Sequence, residues 1–172
     1  LTDVTGVQTC ALPIYAMRNR VLVYGYGNPG RQDDGLGPAM AALIERERLA
    51  GVVTDSNYQL QVEDALAVSE SDTVIFVDAA VSGEEPFSFT ELEPANEITF
   101  TTHSVSPASV LALCHEMYGI AAHAYVLAIR GYGWDFMEQL TPVAEKNLEQ
   151  AYQFLKDKIS DIISASDTMT LN

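Results

Sequence analysis

Residues 21–37, VLVYGYGNPGRQDDGLG, decide how the chain is read. Val21–Tyr24 is a compact run of branched and large apolar side chains, the composition of a strand buried on both faces. It runs into Gly25-Tyr26-Gly27-Asn28-Pro29-Gly30, a turn-forming set. A helical period then opens near Gly37-Pro38, where a proline without an N–H does no harm. That helix is expected to continue through Met40, Leu43 and Ile44 to about Ala50. A buried strand, a tight glycine loop and a helix, in that order, begin a βαβ unit.

The alternation repeats downstream. Val52–Leu60 is a more polar strand candidate and Val62–Val68 a short helix. Thr73–Val77 (TVIFV) is apolar on both faces, as a central parallel strand must be, and Asp78 ends it. Phe87–Leu92 alternates like a half-exposed strand, and Ile98–Thr101 is a further strand candidate. Ser106-Pro107 opens a helix that carries Val110, Leu111, Leu113 and Met117 and stops at Gly119. Tyr125–Ile129 reads as another buried strand, followed by a glycine- and aromatic-bearing loop over Arg130–Phe136. Thr141-Pro142 caps a long amphipathic helix with Val143, Leu148, Ala151, Leu155, Ile159 and Ile162 at helical spacing. The expected architecture is α/β with three layers (α/β/α), a mostly parallel twisted sheet of about five strands flanked by helices.

With 172 residues, 48% of them hydrophobic and 19% charged, the chain has the material for one domain with a real core. That domain is expected over 17–165, with 166–172 a frayed tail. Residues 1–16 (LTDVTGVQTCALPIYA) have no basic segment and no apolar stretch of signal-peptide length, and their core resembles translated sequencing-adapter read-through. They read as a non-native or disordered leader, with Met17 the native start. No apolar run approaches the ~18 to 20 residues that cross a bilayer, so no membrane partner is expected. A formal charge of −15 repels phosphate backbones, which removes nucleic acid as a partner. Beyond the leader only Cys114 remains, so no disulfide framework is available and a reducing cytoplasm is expected.

Gly25, Gly27 and Gly30 satisfy G-x-G-x-x-G between a strand and a helix, the dinucleotide fingerprint. Asp33 and Asp34, however, occupy the helix N-terminus where a pyrophosphate would rest, and repel it. No nucleotide is expected, and an oxidoreductase using this loop is the weaker alternative. Another reading is that the loop projects carboxylates into a crevice above the sheet, with Asp33 or a metal-bound carboxylate accepting a proton; a third is that Asp33 and Asp34 only cap a helix. In a parallel sheet Asp34 and Asp78 emerge at one edge, and His103, just before a helix, can enter the same crevice. Two carboxylates and an imidazole suit a borderline divalent transition metal and leave positions open for substrate. His115 and His123 have no partner at ligand spacing and read as solvated or core-edge residues. Cys114, on the buried side of its helix, reads as packing.

Gly25-Tyr-Gly-Asn-Pro-Gly-Arg-Gln-Asp-Asp-Gly-Leu-Gly37 resembles the opening motif of the hydrogenase maturation endopeptidases, roughly G-x-G-N-x-x-x-x-D-[DE]-x-x-G after a first strand. Val77-Asp78-Ala79, Thr102-His103-Ser104 and Leu140-Thr141-Pro142 resemble later segments of the same family, so the likeness spans Arg20–Lys158. It implies that Asp34, Asp78 and His103 are the catalytic, metal-contacting residues. It further implies an endopeptidase that removes the C-terminal extension of a nickel-iron hydrogenase large-subunit precursor once nickel is inserted, the nickel arriving with that substrate. A non-catalytic nickel-sensing chaperone of the precursor is the alternative within the same resemblance. Tyr58-Gln-Leu-Gln-Val-Glu-Asp64 departs from the D-G-G-T-like segment of several relatives.

Overall fold

The computed structural model describes residues 19–95 and 105–169. The leader, Met17, the strand candidate Ile98–Thr101 and His103 lie outside the described residues. The chain runs β1 (Asn19–Tyr26), a 3-10 turn (Gln32–Gly35), α1 (Leu36–Glu47), β2 (Val52–Asn57), α2 (Asp64–Ser69) and β3 (Ser71–Ala80). It continues through β4 (Phe87–Glu91), α3 (Pro107–Tyr118), β5 (His123–Arg130) and α4 (Pro142–Met169).

The five strands form one sheet in the order β2-β1-β3-β5-β4. β2, β1, β3 and β5 are parallel neighbours, and β4 closes the edge antiparallel to β5. The expected three-layer, mostly parallel α/β architecture is therefore the observed one. Because side chains alternate across a strand, each strand feeds two cores. Val21, Val23, Ile75, Val77, Leu127 and Ile129 face α1 and α4, while Leu22, Tyr24, Val74, Phe76 and Ala124 face α2 and α3. This double burial explains why β1 and β3 read as unbroken apolar runs.

Local signals set the helix ends. The Ser106 hydroxyl accepts from the Ser109 N–H at 3.1 Å, Pro107 follows at the first helical position, and Gly119 closes α3 in the left-handed region at φ 68°. Thr141 Oγ1 accepts from the Ala144 N–H at 3.3 Å and starts α4. Ala144, Leu148, Ala151, Leu155 and Ile159, spaced three or four apart, press that helix onto the sheet. α4 continues to Met169, into the stretch expected to fray from 166. Cys114 is buried, with Sγ donating to the Ile120 carbonyl at 3.6 Å, and His115 and His123 are exposed.

The strand order reverses at β1, with β2 on one side and β3 on the other, so the crevice between the carboxyl ends of β1 and β3 is the topological switch point of the sheet. At this point α1 begins with unusually close backbone contact. A Cβ on Gly37 would lie 2.3 Å from the Tyr26 carbonyl oxygen and 2.5 Å from that of Val77, wedged against both strands at once. Gly37→Ala is therefore expected to lower stability by about 1–3 kcal/mol through overpacking against rigid backbone. Gly30→Ala, whose nearest neighbour is only the Asn28 side chain at 3.2 Å, should cost well under half as much, measured by denaturant unfolding.

Candidate active site

Two carboxylates reach the switch point by different routes. Asp78 stands near the end of β3, one residue beyond the Gly25–Val77 pair, on the face that also carries Val74 and Phe76. Its Oδ1 accepts from the Ala79 N–H at 2.8 Å, and the half-buried Tyr26 hydroxyl donates to it from the neighbouring strand. Asp34 arrives over the top of β1. Gly27 holds φ at 133°, and a Cβ there would lie 2.0 Å from the Asp34 carbonyl oxygen, so only glycine lets the turn settle onto the strand end. Asp34 Oδ2 accepts from the Asn28 N–H at 3.1 Å, while Asn28 Oδ1 accepts from the Gly30 N–H at 2.8 Å and shapes the loop as an Asx turn.

The electrostatics record the meeting. Burial pushes the Asp78 carboxyl up to about 6, and the Asp34 charge adds to the rise against the Ala79 N–H and the Tyr26 hydroxyl. Burial and the Asp78 charge in turn push the Tyr26 phenol far up. A raised carboxyl beside a second carboxylate makes the pair a candidate for handling a cation or a proton. The structure thus sets Asp34 near enough to Asp78 for its charge to act on that carboxyl, while His103 is outside the described residues. Among the described residues no three His, Cys, Asp or Glu side chains are grouped to hold a metal ion.

Asp33 has a different task from either one weighed in the sequence. It is fully buried, and both oxygens are occupied. Oδ2 accepts from the N–H groups of Tyr132 at 2.7 Å and Gly133 at 2.9 Å and from the Thr141 hydroxyl at 2.7 Å, and Oδ1 accepts from the Thr141 N–H at 2.7 Å. It does not cap its own helix: the residue before α1 is Gly35, and no side chain caps the helix start. Asp33 instead ties the loop after β5 and the start of α4 to the turn that carries Asp34. Burial alone would raise its pKa, but the donors from Thr141, Tyr132 and Gly133 outweigh it and hold the carboxyl below the usual range.

The glycine loop is also filled from within. A Cβ on Gly25 would lie 2.1 Å from the Gly37 carbonyl oxygen, and the space beside Gly27 belongs to Asp34. Gly25 and Gly27 serve contact between the chain's own backbones, while Gly30 has only the Asn28 side chain near it. Tyr26 is the residue that sequence reasoning passed over. Its signal was parity, since with β1 and β3 parallel and in register, the side chain one beyond Gly25 stands level with Asp78.

Two measurements follow from this geometry. A carbon-detected NMR titration should place the Asp78 midpoint near 6, with Asp34→Asn lowering it and Tyr26→Phe raising it. Because the native value lies above the unfolded one, this group favours the fold at low pH, and its contribution falls as pH rises from about 4 to about 6. For Asp33 the sign is opposite: its bonds support the fold at neutral pH and are lost as pH falls through its depressed value. Asp33→Asn should cost about 2–3 kcal/mol at pH 7 in denaturant unfolding, with the difference from wild type shrinking in acid.

No protein-family model matches the chain, and no curated protein matches it. Solved structures do. The hydrogenase maturating endopeptidase HybD from Escherichia coli superposes with a TM-score of 0.65 at 20% identity, covering 83% of this chain and 93% of that one. The nickel-iron hydrogenase maturation protease HycI from Thermococcus kodakarensis gives 0.64 at 18% identity, covering 86% and 96%. A hydrogenase 2 maturation peptidase from a Thaumarchaeota archaeon gives 0.60 at 20% identity, covering 81% and 97%. These identities speak for shared backbone architecture, which here extends over nearly the whole of each relative. The chain therefore has the fold of the hydrogenase maturation proteases.

Proposed function

We propose that this protein is a metal-gated endopeptidase that removes the C-terminal extension of a nickel-iron hydrogenase large-subunit precursor after nickel has been inserted. The observation that carries the reading is the convergence of Asp34 and Asp78 at the switch point of a fold shared with hydrogenase maturation proteases. Nickel here belongs to the substrate. Asp34 and Asp78 are the oxygen donors that engage it, and His103 is assigned as the nitrogen donor on its sequence resemblance. Such a mixed donor set suits a borderline divalent ion and leaves positions for the ligands that the precursor already supplies.

The chain's residues then have defined tasks. Gripping the ion fixes the adjoining peptide bond over the sheet edge, which turns a bimolecular encounter into an oriented complex. The divalent ion offers Lewis acidity to a peptide carbonyl or to water. Water adds to the carbonyl carbon, the C–N bond breaks, and a proton must pass to the leaving amine. Asp33 is committed to four hydrogen bonds, so the acceptor for the water proton falls to Asp34 or Asp78. Among the described residues no helix is long and apolar enough to cross a membrane.

Incubation with nickel-loaded and nickel-free precursor, followed by mass spectrometry of the large subunit, tests the proposal. Only the loaded precursor should be trimmed, and Asp34→Asn, Asp78→Asn and His103→Ala should each reduce trimming at least a hundredfold with the fold intact. Equal trimming of both precursors would contradict metal gating. Since Asp78 must be ionised to hold a cation and titrates near 6, KM for the loaded precursor should climb as pH falls below that value.

A further inference from the structure

We propose that Phe136 and Met137, at the tip of the loop after β5, form the apolar anchor on which the body of the metal-bearing precursor docks, with Arg31 at its edge. This rests on the protease reading and adds to it a second contact, separate from the carboxylates that engage the ion.

Three features support the assignment. The first is exposure. Phe136 is 88% exposed, the highest value among the large apolar residues described, and Met137, its neighbour, is 50% exposed. Two consecutive large apolar side chains held in water are unfavourable for an isolated protein and characteristic of contact surfaces. The second is rigidity. The backbone N–H of Gln32 donates to the Met137 carbonyl at 2.7 Å, Gln32 Oε1 accepts from the Asp135 N–H at 3.0 Å, and Gln32 Nε2 donates to Met137 Sδ at 3.0 Å. With the Asp33 bonds to Tyr132, Gly133 and Thr141, this fastens the loop at both ends, so the pair is displayed and not free to collapse inward. Preorganisation of this kind lowers the entropy lost on binding.

The third is position and charge. Many of the bonds that fix the loop come from Gln32 and Asp33, the two residues that precede Asp34, and the loop leaves β5 at the sheet edge where Asp34 and Asp78 emerge. A polypeptide whose metal centre is held by those carboxylates must lie over this edge. Asp135 and Glu138 flank the pair on a chain of net charge −15, so the facing surface of the partner should be apolar with a neutral or basic border. Arg31, three residues before Asp34, lies with its guanidinium carbon 5.5 Å from the centroid of the Phe136 ring and its NH2 group 3.5 Å from the Trp134 carbonyl, a cation–π contact at the edge of the pair.

Steady-state trimming of nickel-loaded precursor separates the alternatives. The double variant Phe136→Ser/Met137→Ser should raise KM at least tenfold and leave kcat within twofold. Met117→Ser, at a 56% exposed apolar position on α3, is the control and should alter neither constant. If the double variant loses its fold, Phe136→Ser alone should show the KM effect. Unchanged KM, or a loss confined to kcat, overturns the docking surface while the protease reading stands. A wild-type protein that trims no precursor overturns that reading, and the assigned occupant with it.

Discussion

The site depends on backbone meeting backbone at the top of β1. Gly25, Gly27 and Gly37 present bare Cα atoms to the carbonyls of Gly37, Asp34, Tyr26 and Val77, at distances no side chain tolerates. This contact seats the start of α1 on the junction of β1 and β3 instead of a residue's width above it. Asp34, three positions before Gly37, is thereby carried to the end of the neighbouring strand, where Asp78 waits. A methyl group at any of these positions would lift the turn and separate the carboxylates, so the glycines act on chemistry through distance.

Adjacent aspartates illustrate how environment divides identical side chains. Asp33 turns inward to a ring of donors and is stabilised as an anion, so it serves as a fastening between the Asp34 turn, the loop after β5 and α4. Asp34 turns toward the crevice and, among the described residues, accepts one hydrogen bond, from the Asn28 N–H. The consecutive pair thus joins a structural anchor to the carboxylate proposed to engage the metal, and the anchor fixes the turn that carries it. The same anchor holds the display loop that carries Phe136, which places the proposed metal contact and the proposed polypeptide contact on one rigid support.

The charge of the chain has the same logic. A protein that carries −15 repels nucleotides and polyanions and attracts cations, and its switch-point crevice concentrates two of those carboxylates. The glycine spacing alone matches a dinucleotide fingerprint, yet the turn behind it is acidic and the faces of Gly25 and Gly27 are filled. Spacing reports only that backbone approaches closely. What it approaches, a pyrophosphate or another part of the chain, is decided by the neighbouring residues.

Much of the fold was legible because its signals are local: the doubly buried runs of β1 and β3, the Ser106-Pro107 start of α3, the Gly119 stop, and the period of α4. The placement of Asp34 and Asp78 at one edge also followed from sequence, since parallel strands send their carboxyl ends the same way. The task of Asp33 did not, because its partners lie about a hundred residues along the chain and carry no residue-type signal: three of its four donors are backbone N–H groups. Nor did Tyr26 or the display of Phe136, which depend on strand register and on loop fastening. Sequence by itself determined the elements, their order and the acidic character of the crevice, because propensity and periodicity act over a few residues. Tertiary structure alone decided which carboxylate became an anchor and which faced the crevice, because burial and hydrogen-bond supply come from segments distant in the chain.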